Sequence, residues 1–135
     1  MIQIDEVVKT KILALINAGA LAGVTADHVF TSPDGVSEFF GETKIYVLLQ
    51  SVEKPLTIGA ADNHIAKILV VIISASKTTA YSLDEALGTQ LGNLFDRDTC
   101  INTWVEGEID YSPLFDGQRF SGDYQIARTY HVDYI

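Results

Sequence analysis

The chain has 135 residues, 47% hydrophobic and 20% charged, a composition that fits a single globular domain over 1–135 and excludes disorder as its general state. Nine Lys and Arg against 18 Asp and Glu leave a net charge of −9, so the average surface repels a phosphate backbone and sequence-independent nucleic-acid binding is not expected. The single cysteine, Cys100, cannot close an internal disulfide, and packing must supply the stability.

The opening Met1-Ile2-Gln3-Ile4-Asp5-Glu6 places acidic groups where a secretion signal is basic, and the most apolar run, 68–73, is far below the ~20 residues of a membrane helix. A cytoplasmic location with no membrane contact is therefore expected. Asp5 is positioned to cap a first helix reaching about Ala18, in which Ile4, Val8, Ile12 and Leu15 form an apolar stripe and Gly19 follows the end. Ser32-Pro33-Asp34-Gly35 reads as a tight turn within a polar connection.

Residues 45–52 read as a strand, and after a loop with Pro55, Gly59 and Asp62-Asn63 a second strand runs from His64 to about Ala75. Both are apolar on both faces at their centres. That pattern asks for cover on two sides, by helices on one face and a partner subunit on the other, or by a bent sheet.

Ser82-Leu83-Asp84-Glu85 matches a capping box and predicts a helix start at Ser82, with Leu83, Ala86, Leu87, Leu91, Leu94 and Phe95 on the helical period. Gly88 and Gly92 each cost about 1 kcal/mol there relative to alanine, a loss that close packing on a sheet would explain. Residues 103–111 and 124–135 alternate and predict two more strands. The order α-β-β-α-β-β predicts an α+β fold, a mainly antiparallel sheet with two helices packed on one face.

Little of the sequence suggests reaction chemistry. Ser74-Ala75-Ser76-Lys77 has the spacing of a serine nucleophile and lysine base, but it straddles a strand end and its S-D-N and K-T-G companions are absent, so it reads as a strand-to-helix connection. Asp96-Arg97-Asp98 begins like a calcium loop, yet Ile101 stands where the glycine is required, leaving a polar helix end and loop. His131 and Asp133 share one face of a strand, which makes two ligands and not a metal site; His28 and His64 lie in other segments. Cys100 carries no signature of a nucleophile. No cofactor is expected.

From Ser82 onward there are ten acidic and three basic residues, against eight and six before it. Within that acidic half, Glu106, Glu108 and Asp110 stand at period two on one strand, led by Trp104. Burying three unpaired carboxylates would cost several kcal/mol each, so the stripe faces solvent, a cationic partner or an aqueous passage. A metal-dependent hydrolase using Glu106, Glu108, Asp110 or Asp133 is the enzymatic alternative, and a cytoplasmic module that docks a partner on an exposed strand is another.

The element order, the turn predicted at Leu114-Phe115-Asp116-Gly117-Gln118-Arg119 and the long last strand over 124–135 resemble the small tail terminator, or tail completion, proteins of tailed bacteriophages and prophages. The resemblance covers nearly the whole chain, including the first helix and a helix over 83–95. It carries no catalytic motif and implies no active-site residue. It implies a structural virion protein, assembled in the bacterial cytoplasm into a ring, commonly a hexamer, at the head-proximal end of the tail. Its partners would be copies of itself, the tail tube protein and the head-tail connector, with DNA passing through without tight binding. Glu106, Glu108 and Asp110 would then line the passage or an interface, where carboxylates repel phosphates.

Overall fold

The computed structural model describes residues 3–32, 43–53, 64–91, 95–96, 101–110 and 124–134, with the strand segments 95–96 and 101–110 described by their backbone. The expected turns at Ser32-Pro33-Asp34-Gly35 and 114–119, the loop with Pro55, Gly59 and Asp62-Asn63, and residues Gly92, Leu94 and Cys100 lie wholly or mainly outside the described residues.

Helix α1 spans Ile4–Asn17. Gln3, not Asp5, holds the capping position, and it makes no side-chain cap bond. The reason is packing: Ile4 is buried with Val8 and Ile12, so the helix must already be wound at Ile4 to carry the stripe inward. Asp5 falls in the first turn, where its charge complements the helix dipole and its Oδ1 accepts the Glu6 amide at 2.9 Å. The C-terminus closes as expected at Gly19, whose φ of 77° lies in the left-handed region. There the Gly19 amide donates to the Ile16 carbonyl at 3.0 Å and the Ala20 amide to that of Leu15 at 2.9 Å, satisfying two carbonyls the helix leaves open.

A 3-10 turn, Ala26–His28, leads into the two-residue strand β1, Val29–Phe30. Strands β2 (Lys44–Glu53) and β3 (His64–Ser74) follow, then helix α2 (Lys77–Leu91) and strands β4 (Phe95–Asp96), β5 (Ile101–Asp110) and β6 (Tyr124–Tyr134). The sheet order is β1-β2-β3-β6-β5-β4. All pairs are antiparallel except β1 with β2. The fold is therefore α+β, with the expected order and two short strands added at the sheet edges.

Strands β3 and β6 form the centre, in unbroken register from His64 opposite Tyr134 to Ser74 opposite Tyr124. On one face, α1 and α2 bury Ile45, Val47, Ile68, Val70, Ile72, Ile126, Tyr130 and Val132 in a continuous core. The other face buries Tyr46, Leu69, Val71, Ile73 and Ala127, with the Phe30 and Tyr46 rings stacked at 5.3 Å. The double-sided apolar pattern is thus met within one chain, and these residues do not need a partner subunit to leave water.

The start of α2 corrects the capping-box expectation. The helix begins at Lys77, and Ser76 is the cap, its Oγ accepting the Thr79 amide at 3.3 Å. Ser82 lies more than a turn inside the helix, exposed. Strand β3 ends at Ser74, whose Oγ accepts the Ser76 amide at 3.2 Å, so the chain turns at once and the first good cap in line is Ser76. The early start also buries Ala80. The far end differs as well, since α2 stops at Leu91 while Phe95 and Asp96 belong to β4, not to a helix end.

Gly88 behaves as expected of a close-packing glycine. A β-carbon there would lie 3.1 Å from a guanidinium nitrogen of Arg128 on β6.

Candidate functional site

Candidate chemistry in the described residues divides among a strand, a buried ion pair and scattered histidines. Glu106, Glu108 and Asp110 all lie on β5. Their backbone positions are not those of a regular strand. Trp104 stands opposite His131 and Asp110 opposite Ala127, but the β5–β6 register shifts between Val105 and Ile109, a stretch that includes Glu106 and Glu108. A bulge of this kind bends a strand and raises its local twist.

His131 and Asp133 sit two residues apart on β6, opposite Lys67 and Ile65 of β3. His28 lies in the 3-10 turn, with Nδ1 3.3 Å from Thr25 Oγ1. His64, at the other end of the molecule's central strand pair, stacks its ring on Tyr134 at 5.2 Å. Among the described residues no three His, Cys, Asp or Glu side chains gather in a way that could hold a metal ion.

The Ser74-Ala75-Ser76-Lys77 segment is the strand-to-helix junction. Ser74 Oγ lies 3.0 Å from Thr43 Oγ1, Ser76 caps α2, and Lys77 Nζ sits 5.8 Å from the centroid of the Tyr81 ring. Each polar group in the junction has a structural task.

A buried charged pair is one feature that sequence reasoning missed. Asp84 is buried on the inner side of α2, and Arg128 of β6 reaches it with a two-pronged contact, Nε to Oδ1 at 3.0 Å and Nη2 to Oδ2 at 2.6 Å. The planar guanidinium matches a carboxylate in this geometry, and two charge-assisted bonds offset the loss of hydration. Beside it, the buried Tyr130 hydroxyl has no hydrogen-bond partner among the described residues. Burial holds its pKa above the usual range, with the Arg128 charge pulling the other way. Two signals in the chain mark the pair. Arg128 interrupts the inward series Ile126, Tyr130, Val132, and Asp84 lies beside Leu83 and one turn from Leu87. Reading Asp84 as part of a capping box hid the second signal. The pair joins a helix to a strand, an arrangement that fixes how α2 sits on the sheet.

The outer edge of β2 is the other feature. Strand β1 pairs only with Ile45 and Tyr46, and Leu49 and Val52 beyond it are 42% and 44% exposed. The β2–β3 register also shifts between Leu49 and Ser51.

No protein-family model and no curated protein matches the chain. Among solved structures, the chain is similar to one in the virion of the native gene transfer agent (GTA) particle, at 13% identity, over 81% of this chain and 79% of that one, with a TM-score of 0.48. A likeness at that level assigns no role to either side.

Proposed function

We propose that this chain is a structural virion subunit that assembles as a ring on the head-proximal end of a phage-type tail tube, ends tube polymerisation and presents the surface that joins the head connector. The observation that carries the reading is the element order. The resemblance rests on a helix, a strand pair, a second helix and a strand pair ending in a long last strand, and the fold has that order, with β6 as an eleven-residue central strand.

Charge supports the same reading. A net charge of −9, concentrated in the second half of the chain, suits a passage through which DNA slides without adhering. Glu106, Glu108 and Asp110 are the candidates for that lining or for an interface between subunits. The role needs no cofactor, metal or catalytic group. Its partners are other copies of the chain, the tube protein and the connector, and its final location is the virion tail after assembly in the bacterial cytoplasm.

The direct test adds the purified protein to a polymerising phage-type tail tube protein and measures tube lengths by electron microscopy. Tubes that stop growing and carry extra density at one end are expected. Unchanged length distributions with bare ends would overturn the reading.

A further inference from the structure

The two edges of the sheet are built as complements. Among the described residues, strand β2 is covered at its outer edge at Ile45 and Tyr46, by β1, and β5 at Ile101 and Asn102, by β4. Among the described residues, 47–53 of β2 and 103–110 of β5 are left without an outer partner, stretches within one residue of equal length. The antiparallel steps from β2 through β3 and β6 to β5 make β2 and β5 run in opposite directions. The stretch 49–53 is exposed, contains no proline or lysine to block pairing and presents Leu49 and Val52.

From this juxtaposition we propose that the β2 edge of one subunit pairs antiparallel with the β5 edge of a second copy, extending the sheet from subunit to subunit. Aligning the free ends sets Val47 opposite the neighbour's Asp110 position and Glu53 opposite its Trp104 position, with β1 closing one end and the neighbour's β4 the other. The same alignment brings Gln50 opposite Gly107. Both are register irregularities, one between Leu49 and Ser51 and the other between Val105 and Ile109, so both strands bend at the same height along the contact. Because β2 and β5 are different surfaces, the contact is head-to-tail, the kind that generates a ring when its rotation closes. Glu53, the only acidic residue of 47–53, lies directly opposite Trp104 and not opposite Glu106, Glu108 or Asp110 in this register. A copy of the same chain is thus the occupant that matches the edge in length, direction and bend.

The inference rests on the ring reading, and the test separates the two. In a Cys100→Ser background, Ser51→Cys and Glu106→Cys fall opposite each other, within the Cα separation that a disulfide spans. Mild oxidation of the double variant should give a ladder of covalent oligomers ending at a closed species, while each single variant gives no ladder. Leu49→Lys, at an exposed edge position, should keep the monomer's melting temperature and abolish the ladder. Rings seen by light scattering with no ladder would overturn the edge pairing and leave the tail reading standing. A ladder from protein that never binds tube ends would do the reverse. A Ser51→Cys single variant that forms a disulfide dimer in high yield would replace this contact with a symmetric β2–β2 contact, and a chain that stays monomeric at millimolar concentration without a ladder would also overturn it.

Discussion

Removing either half of the Asp84–Arg128 pair should destabilise the protein far more than removing both. The side chains are 9% and 17% exposed, so each single substitution strands a mostly buried charge. Breaking a buried pair in this way costs about 3–5 kcal/mol, whereas replacing both partners by apolar groups of similar size is commonly neutral or better. Arg128 retains the greater access to water and can move its head group outward, so Asp84→Leu should lie near the low end, about 3 kcal/mol, and Arg128→Met above it. For a chain of this length a loss of 3 kcal/mol lowers Tm by roughly 10 °C. The double variant should return to within about 1 kcal/mol of the parent. Gly88 supplies an internal control. Alanine there gains up to about 1 kcal/mol of helix propensity, but its β-carbon meets Nη1 of a guanidinium that Asp84 holds through Nε and Nη2, so Gly88→Ala should help only in the Arg128→Met background. Urea denaturation at constant slope measures every arm. Losses that simply add in the double variant would refute the coupling, and with it the view that this pair seats α2 on the sheet.

The cap of α2 separates two serines: Ser76→Ala should cost about 1 kcal/mol and Ser82→Ala nothing measurable, by denaturation midpoint. Gly23, at φ 90° with Thr79 Cγ2 only 2.8 Å from a built β-carbon, should lose about 1–2 kcal/mol on change to alanine from backbone strain alone, and Thr79→Ser should recover only the added clash, again read from the midpoint. Burial pushes Tyr46 up to about 12 and raises Tyr130 and Tyr134 as well, so the neutral phenols are favoured in the native state; stability is then full below pH 10 and falls as pH rises from 10 toward 12, and Tyr46→Phe should make that fall shallower in a pH series of thermal melts. Glu106→Gln/Glu108→Gln/Asp110→Asn should leave Tm unchanged or slightly raised, and the parent should show no Tm gain with Mg²⁺ or Mn²⁺; a gain of about 2.7 kcal/mol at hundredfold excess over Kd, lost in the triple variant, would reopen the metal-dependent hydrolase.

Local order is what the sequence by itself determined. The stripe Ile4, Val8, Ile12 and the glycine at 19 specify α1 and its end, because helical spacing and left-handed backbone are properties of neighbouring residues. The apolar runs at 45–52 and 64–75 specify β2 and β3 almost to their ends, and the double-sided pattern correctly announced burial on both faces. Tertiary structure decided what depends on distant groups. It chose Ser76 over the better-looking Ser82 box, since the end of β3 and the burial of Ala80 set where α2 begins. It placed β6 between β3 and β5, which no alternation of residues encodes, and so brought Arg128 to Asp84 across 44 positions of chain. It also set the bulges that interrupt β2 and β5, so that Glu106, Glu108 and Asp110, evenly spaced in sequence, do not occupy a regular strand. A spacing rule assumes an undisturbed element, and only the neighbouring strand decides whether the element is undisturbed.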